Sequence, residues 1–188
     1  MDLHYTRTAV WLHWFIAILL LGQFLFGWYL TGVPRGTPER GYLVNLHKST
    51  GLVIGLLVVL RLAWRMTHAP PPLPDSVPRW QQTAATQTHR LLYLLMLVMP
   101  LSGFVASNFS KFGVKFFNVL QLGPWGVESK VIYAVFNETH KACAWLLMVL
   151  VIVHVLAAVK HRLVDRDAVF SRMLPRGSRG HARLLDER

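Results

Sequence analysis

Four stretches of the chain are almost wholly apolar, and polar or turn-forming residues separate them: roughly Val10 to Leu30, Leu46 to Trp64, His89 to Ala106 and Ala142 to Val159. The apolar residues are gathered into blocks instead of being scattered at amphipathic spacing. A block of about 20 apolar residues can cross about 30 Å of hydrocarbon as a helix, and a helix satisfies its own backbone hydrogen bonds where no water can. The pattern predicts an all-α membrane protein, a four-helix transmembrane bundle. The first block is too long for the core of a cleavable signal and carries His13 with Trp11, Trp14 and Trp28, so it is expected to remain as a span.

The connectors are distinct. Ala69 to Arg79 holds Pro70, Pro71, Pro72, Pro74 and Pro78, the composition of a stiff extended linker. Thr31 to Asn45 is short and turn-rich. Asn108 to Thr139 is longer, and its Glu128 to Phe136 stretch either lies at the interface or extends the fourth helix outward. Neither an internal repeat nor a second domain is visible. Residues 1–168 are therefore read as the membrane domain and 169–188 as a basic tail.

Composition narrows the function. The chain is 53% hydrophobic yet carries a net charge of +11. The basic residues flank the spans instead of lining a soluble face, so topology explains them and nucleic-acid binding is not expected. With both termini in the cytoplasm, the N-terminal segment, the Arg61 to Arg90 connection and the tail from Lys160 collect most of them. The outer loops and their margins hold Arg35, Arg40, Lys48, Lys111, Lys115, Lys130 and Lys141. The single Cys143 excludes an internal disulfide, and no CxxCH is present for covalent haem attachment.

Histidines 13, 47, 140 and 154 lie within or at the edges of the apolar runs, where an ionisable side chain is expensive and points to function. His140 and His154 are fourteen residues apart, which on one helix is about four turns and about 21 Å, on nearly the same face. One imidazole then lies near each membrane surface. The first span enters from the cytoplasm, so His13 shares the inner level with His154; the second and fourth enter from outside, so His47 shares the outer level with His140. Two imidazoles from different helices can hold a haem between them. Bis-histidine ligation leaves the iron no open position, which suits electron transfer instead of oxygen binding. The expected cofactors are two haem b groups, held by His13 and His154 and by His47 and His140. His89 opens the third span at the inner level and competes for a place there. His4, His68 and His181 lie outside the spans and are expected to be solvated.

At these residues the chain resembles the bacterial di-haem cytochrome b561 family. The likeness rests on Tyr5-Thr6-Arg7 followed by His13-Trp14, on His47 to Gly51 (HKSTG), on His89 to Gly103 with Tyr93, Pro100 and Gly103, on the His140/His154 pair and on Arg172-Met173-Leu174-Pro175-Arg176. The resemblance implies a multi-pass cytochrome of the bacterial cell inner membrane that exchanges electrons with the quinone pool. Some family members are similar to a superoxide oxidase, taking an electron from superoxide at the outer face and passing it to ubiquinone. Related cytochrome b subunits serve hydrogenases and formate dehydrogenases, and a haem-free transporter or anchor is the alternative of another class. The expected partners are membrane lipid, ubiquinone, and superoxide or another small donor, with no permanent protein partner required.

Secondary positions carry paired readings. Gly51 and Gly55 admit either a porphyrin or a neighbouring helix. Lys48 and Lys141 reach either haem propionates or lipid headgroups. The outer cations can steer an anion such as superoxide. Trp64, Trp80, Trp125, Tyr29 and Tyr42 fit an aromatic belt, and His161, Arg162, Arg7 and His89 are candidate quinone or proton partners at the inner surface.

Overall fold

The computed structural model describes residues 4–74 and 77–174. Four helices carry the chain back and forth: α1 (Arg7–Gly32), α2 (Pro38–Thr67), α3 (Arg79–Asn108) and α4 (Lys130–Lys160). All four are long and apolar enough to cross a membrane. Three open on a hydroxyl that accepts a free first-turn amide: Thr6 from Ala9 at 3.3 Å, Thr37 from Arg40 at 3.2 Å and Ser129 from Ile132 at 3.3 Å. Pro38 suits the first turn of α2, where its missing N–H is not needed.

Two helices run beyond their apolar blocks. α3 starts at Arg79, well before His89, and its first turns are polar with Trp80 exposed. α4 starts at Lys130, so the Glu128 to Phe136 stretch mostly extends the fourth helix. A helix that projects past the hydrocarbon needs no apolar residues there, and hydropathy therefore underestimates its length.

Sequence neighbours pack together, α1 on α2, α2 on α3 and α3 on α4, as in an up-down-up-down bundle. Below, the end where α1 and α3 begin is the tail end, and the end where α2 and α4 begin is the hairpin end. The latter takes its name from β1 (Val114–Phe116) and β2 (Leu120–Leu122), antiparallel strands in which Val114 faces Leu122 and Phe116 faces Leu120. Such short strands need support. Asn45 donates to the Asn118 side chain at 3.0 Å, the Phe117 amide donates to Ser49 Oγ at 2.7 Å, and Lys48 Nζ donates to the Gly113 carbonyl at 2.8 Å. The hairpin is thus seated on α2.

At the tail end, the last described residues fold back onto the bundle. Trp14 Nε1 donates to the Met173 carbonyl at 2.6 Å, and the buried Arg172 donates to the Pro72 carbonyl at 2.5 Å. Residues 169–174, read from sequence as tail, therefore lie against α1 and the proline linker; 175–188, with Pro175, Arg176 and His181, lie outside the described residues.

The centre of the bundle is aliphatic. Leu20, Ile54 and Leu147 are buried, Leu147 completely, and Met96 joins the clusters that contain them. Outward-facing Ile18, Leu21, Leu56, Leu101 and Leu156 are all exposed, as lipid-facing residues are. Leu147→Ala is expected to destabilise the bundle by about 2–5 kcal/mol, because neighbours fixed on three helices refill a cavity only partly. A lowered thermal midpoint of the detergent-solubilised protein checks this.

Candidate functional site between the helices

On an α-helix, residues seven apart lie about two turns apart on nearly the same side. Each helix repeats this spacing across the aliphatic centre. α1 carries His13, Leu20 and Gly27; α2 carries Arg61, Ile54 and His47; α3 carries His89, Met96 and Gly103; α4 carries His154, Leu147 and His140. The bundle is consequently layered, with imidazoles at both ends and aliphatic side chains between.

At the hairpin end the ring centroids of His47 and His140 are 6.2 Å apart, with planes at 78°. The other two helices contribute glycine there. A Cβ on Gly103 would lie 2.9 Å from His140 Nδ1, and one on Gly27 would lie 3.3 Å from His47 Cε1. The glycines give these rings their room. His140 Nδ1 is 2.7 Å from the Met99 carbonyl, which fixes the ring and leaves Nε2 free. Gln23 donates to the His47 carbonyl at 2.6 Å, while His47 Nδ1 is buried without a hydrogen-bond partner.

At the tail end the centroids of His13 and His154 are 6.3 Å apart, with planes at 75°. His89 lies 5.3 Å from His154, and Trp14 lies 5.5 Å from His13. Arg61 occupies the fourth corner; it donates to the Ala9 carbonyl at 2.5 Å and to the Tyr93 hydroxyl at 3.1 Å.

These separations can be tested against a metal. A metal–imidazole bond of about 2.0 Å on each side, plus about 1.1 Å from nitrogen to ring centre, places two centroids about 6.2 Å apart. His47 with His140 and His13 with His154 fit that figure, and His89 with His154 is nearly 1 Å too close. The buried Nδ1 of His47, which no protein group meets, suits an added group at that level as well. The four imidazoles thus suit haem, with His89 beside the tail-end pair.

The remaining candidates fall elsewhere. Gly55 faces Pro100, with a Cβ 3.3 Å from its Cγ, and Gly51 faces Gln23; both serve helix packing. Lys141 pairs with Glu138 at 2.7 Å on the surface. His161 is held by Asp167 at 2.6 Å, in a turn of π-helix (His161–Asp165) that continues α4, and Asp165 pairs with Lys160 at 2.5 Å. Arg7 and Arg162 are exposed. His68 stacks on Trp64 at 3.9 Å, away from the layers. Sequence reasoning passed over Gly27 and the role of Arg61 at this level, and named Gly103 only within the family likeness. The seven-residue spacing could have put all three in register with the aliphatic centre of their own helices, though not in contact with a ring.

Residues 4–176 match the family profile described as prokaryotic cytochrome b561. The chain is 31% identical to cytochrome b561 homolog 2 of Escherichia coli, over 88% of each chain. It is 28% identical to homolog 1 of the same organism, over 92% of this chain and 97% of the relative. A probable superoxide oxidase of Yersinia pestis is 23% identical, over 92% of this chain and 96% of the relative.

Proposed function

The chain belongs to the prokaryotic cytochrome b561 family of electron-transfer membrane proteins, and from that premise we propose that it holds two b haems and moves electrons from superoxide to ubiquinone. The observation that carries the two-haem reading is the pair of centroid distances, 6.2 and 6.3 Å, made by two histidines fourteen residues apart on α4 with His47 and His13. The proposed orientation puts the tail end in the cytoplasm and the hairpin end outside, in the bacterial inner membrane, as the distribution of Lys and Arg favours.

When bound, haem supplies a one-electron carrier at each end. The protein's part is to fix the four imidazoles, exclude water and order the approach of the reactants. Met99 and Gly103 hold and admit the His140 ring, and the hairpin is seated on Asn45, Lys48 and Ser49, which flank His47. Lys48, Lys111, Lys115 and Lys130 on the same side supply positive charge that draws in an anion. Two superoxide anions give up one electron each and leave as dioxygen; two electrons and two protons convert one ubiquinone to ubiquinol. His161, hydrogen-bonded to Asp167, is the candidate proton donor at the cytoplasmic end. The likeness to the Yersinia superoxide oxidase supports this choice of donor.

The purified protein is expected to contain about two haems per chain by pyridine haemochrome assay, and one or none would sink the reading. Mixing the oxidised protein with superoxide and a ubiquinone analogue should reduce the haems quickly and yield quinol, with superoxide dismutase abolishing both. The reduction should slow as ionic strength rises. If quinol reduces the haems and superoxide does not, the protein is an electron-transfer subunit for another donor.

A further inference from the structure

Arg61 is a permanent charge fourteen residues beyond His47 on α2, within a bundle where charges are expensive and normally paired. Among the described residues it has no carboxylate partner; the ion pairs there involve Lys141, Lys160 and His161. Its hydrogen bonds are to two neutral groups, the Ala9 carbonyl and the Tyr93 hydroxyl. A guanidinium has five N–H donors, so these bonds leave donors over and, among the described residues, the charge uncompensated. The corresponding corner of the hairpin-end layer holds a histidine, so the seven-residue repeat of α2 ends in a cation only at the tail end.

Place fixes what the missing anion is. Ala9 lies one helical turn before His13 on the tail-end side, and Tyr93 one turn after His89 on the other. The guanidinium is tethered between these two elements, beside the His13 and His154 rings and towards the nearer surface. A haem held by those rings brings two carboxylates of its own, on propionate arms. We propose that Arg61 is the binding site for a propionate of the tail-end haem, held in position by Ala9 and Tyr93. This rests on the two-haem reading above. Arg61 thereby sets the electron affinity of one haem and not the other, because a nearby cation favours the reduced form, whose net charge is more negative.

The test is redox titration of the purified protein, reading each haem separately, for the native chain, Arg61→Gln and Arg61→Lys. Arg61→Gln is expected to lower the reduced-to-oxidised ratio of the tail-end haem about tenfold at fixed ambient potential, which is 59 mV for one electron. The other haem should hold its potential, and Arg61→Lys should recover most of the shift. Contact is separated from charge at a distance by reconstituting both native and Arg61→Gln chains with haem dimethyl ester, whose carboxylates are blocked. If Arg61 binds a propionate, Arg61→Gln should make the tail-end potential depend on pH near neutrality with free-acid haem, as the unpaired carboxylate titrates, and not with the ester. The same pH dependence with free-acid and ester haem, or no shift with the free acid, overturns the proposal while leaving the haem count, and so the two-haem reading, intact. If Arg61→Gln fails to fold, the ester alone should shift the tail-end potential of the native chain and alter the response to Arg61→Lys; no shift overturns the assignment.

Discussion

Replacing His13 or His154 with Ala is expected to remove one haem and leave the other, bringing the pyridine haemochrome count from about two per chain to about one. His47→Ala and His140→Ala should give the same count but lose the other haem, so the surviving redox waves of the two sets should be complementary. The expectation follows from geometry. Each pair bridges different helices, the pairs lie at opposite ends of α4, and the buried Leu147 stands between them. Loss at one end need not reach the other. His89→Ala is the deciding control, since its ring is 5.3 Å from His154 where a metal between two imidazoles asks for about 6.2 Å. It should retain both haems. Were His89→Ala to lose a haem and His13→Ala to keep it, His89 would be the partner of His154.

Gly103→Leu is expected to be nearly as damaging to the hairpin-end haem as loss of His140 itself. Even the first added carbon would lie 2.9 Å from His140 Nδ1 and 3.2 Å from Cε1. These are ring atoms on a helix that packs along α3, so the ring must rotate away. It then gives up the contact at 2.7 Å with the Met99 carbonyl that holds its orientation. Such supporting contacts are typically worth about 10–100-fold in metal affinity, and here the ligand itself is displaced. Gly103→Ala should be milder but measurable. Gly55→Ala supplies the comparison, because its Cβ meets Pro100 and no histidine. Both haems should survive it, so counts for the three variants separate crowding of the imidazole from general disturbance of α3.

The four spans and the depth matching of the histidines were legible because a run of apolar residues and an imidazole inside it are both local facts. Helix lengths were less so: Arg79 to Thr88 is polar, and only the fold requires it to be helical. The β1–β2 hairpin escaped because three-residue strands carry too little alternation to stand out, and its support comes from Asn45, Lys48 and Ser49 on another element. Among glycines, Gly51 and Gly55 drew notice through nearness in sequence to His47, yet Gly27 and Gly103 are the ones against the rings. Their partners lie on other helices, so contact could not be read along one chain. Arg61 was counted among the flanking cations for the same reason: its level depends on how α2 is set against α1 and α3.

The layer of Leu20, Ile54, Met96 and Leu147 acts as an insulator that is selective by particle. An electron can tunnel through aliphatic side chains, whereas a proton needs successive hydrogen-bonding groups, and three of these side chains offer none and the fourth only a weakly accepting sulfur. With the two proposed haems bound, current across the bundle would therefore be electronic and would not discharge the ion gradient. It is still felt by the membrane's electric field. The imidazole levels are about 21 Å apart in about 30 Å of hydrocarbon, about two-thirds of the field. At about 2.3 kcal/mol per charge per 100 mV for a full crossing, each transfer involves about 1.6 kcal/mol per 100 mV. With the tail end in the cytoplasm, as proposed, electrons entering from outside climb that potential, and the drop from donor to quinone must exceed it in an energised cell.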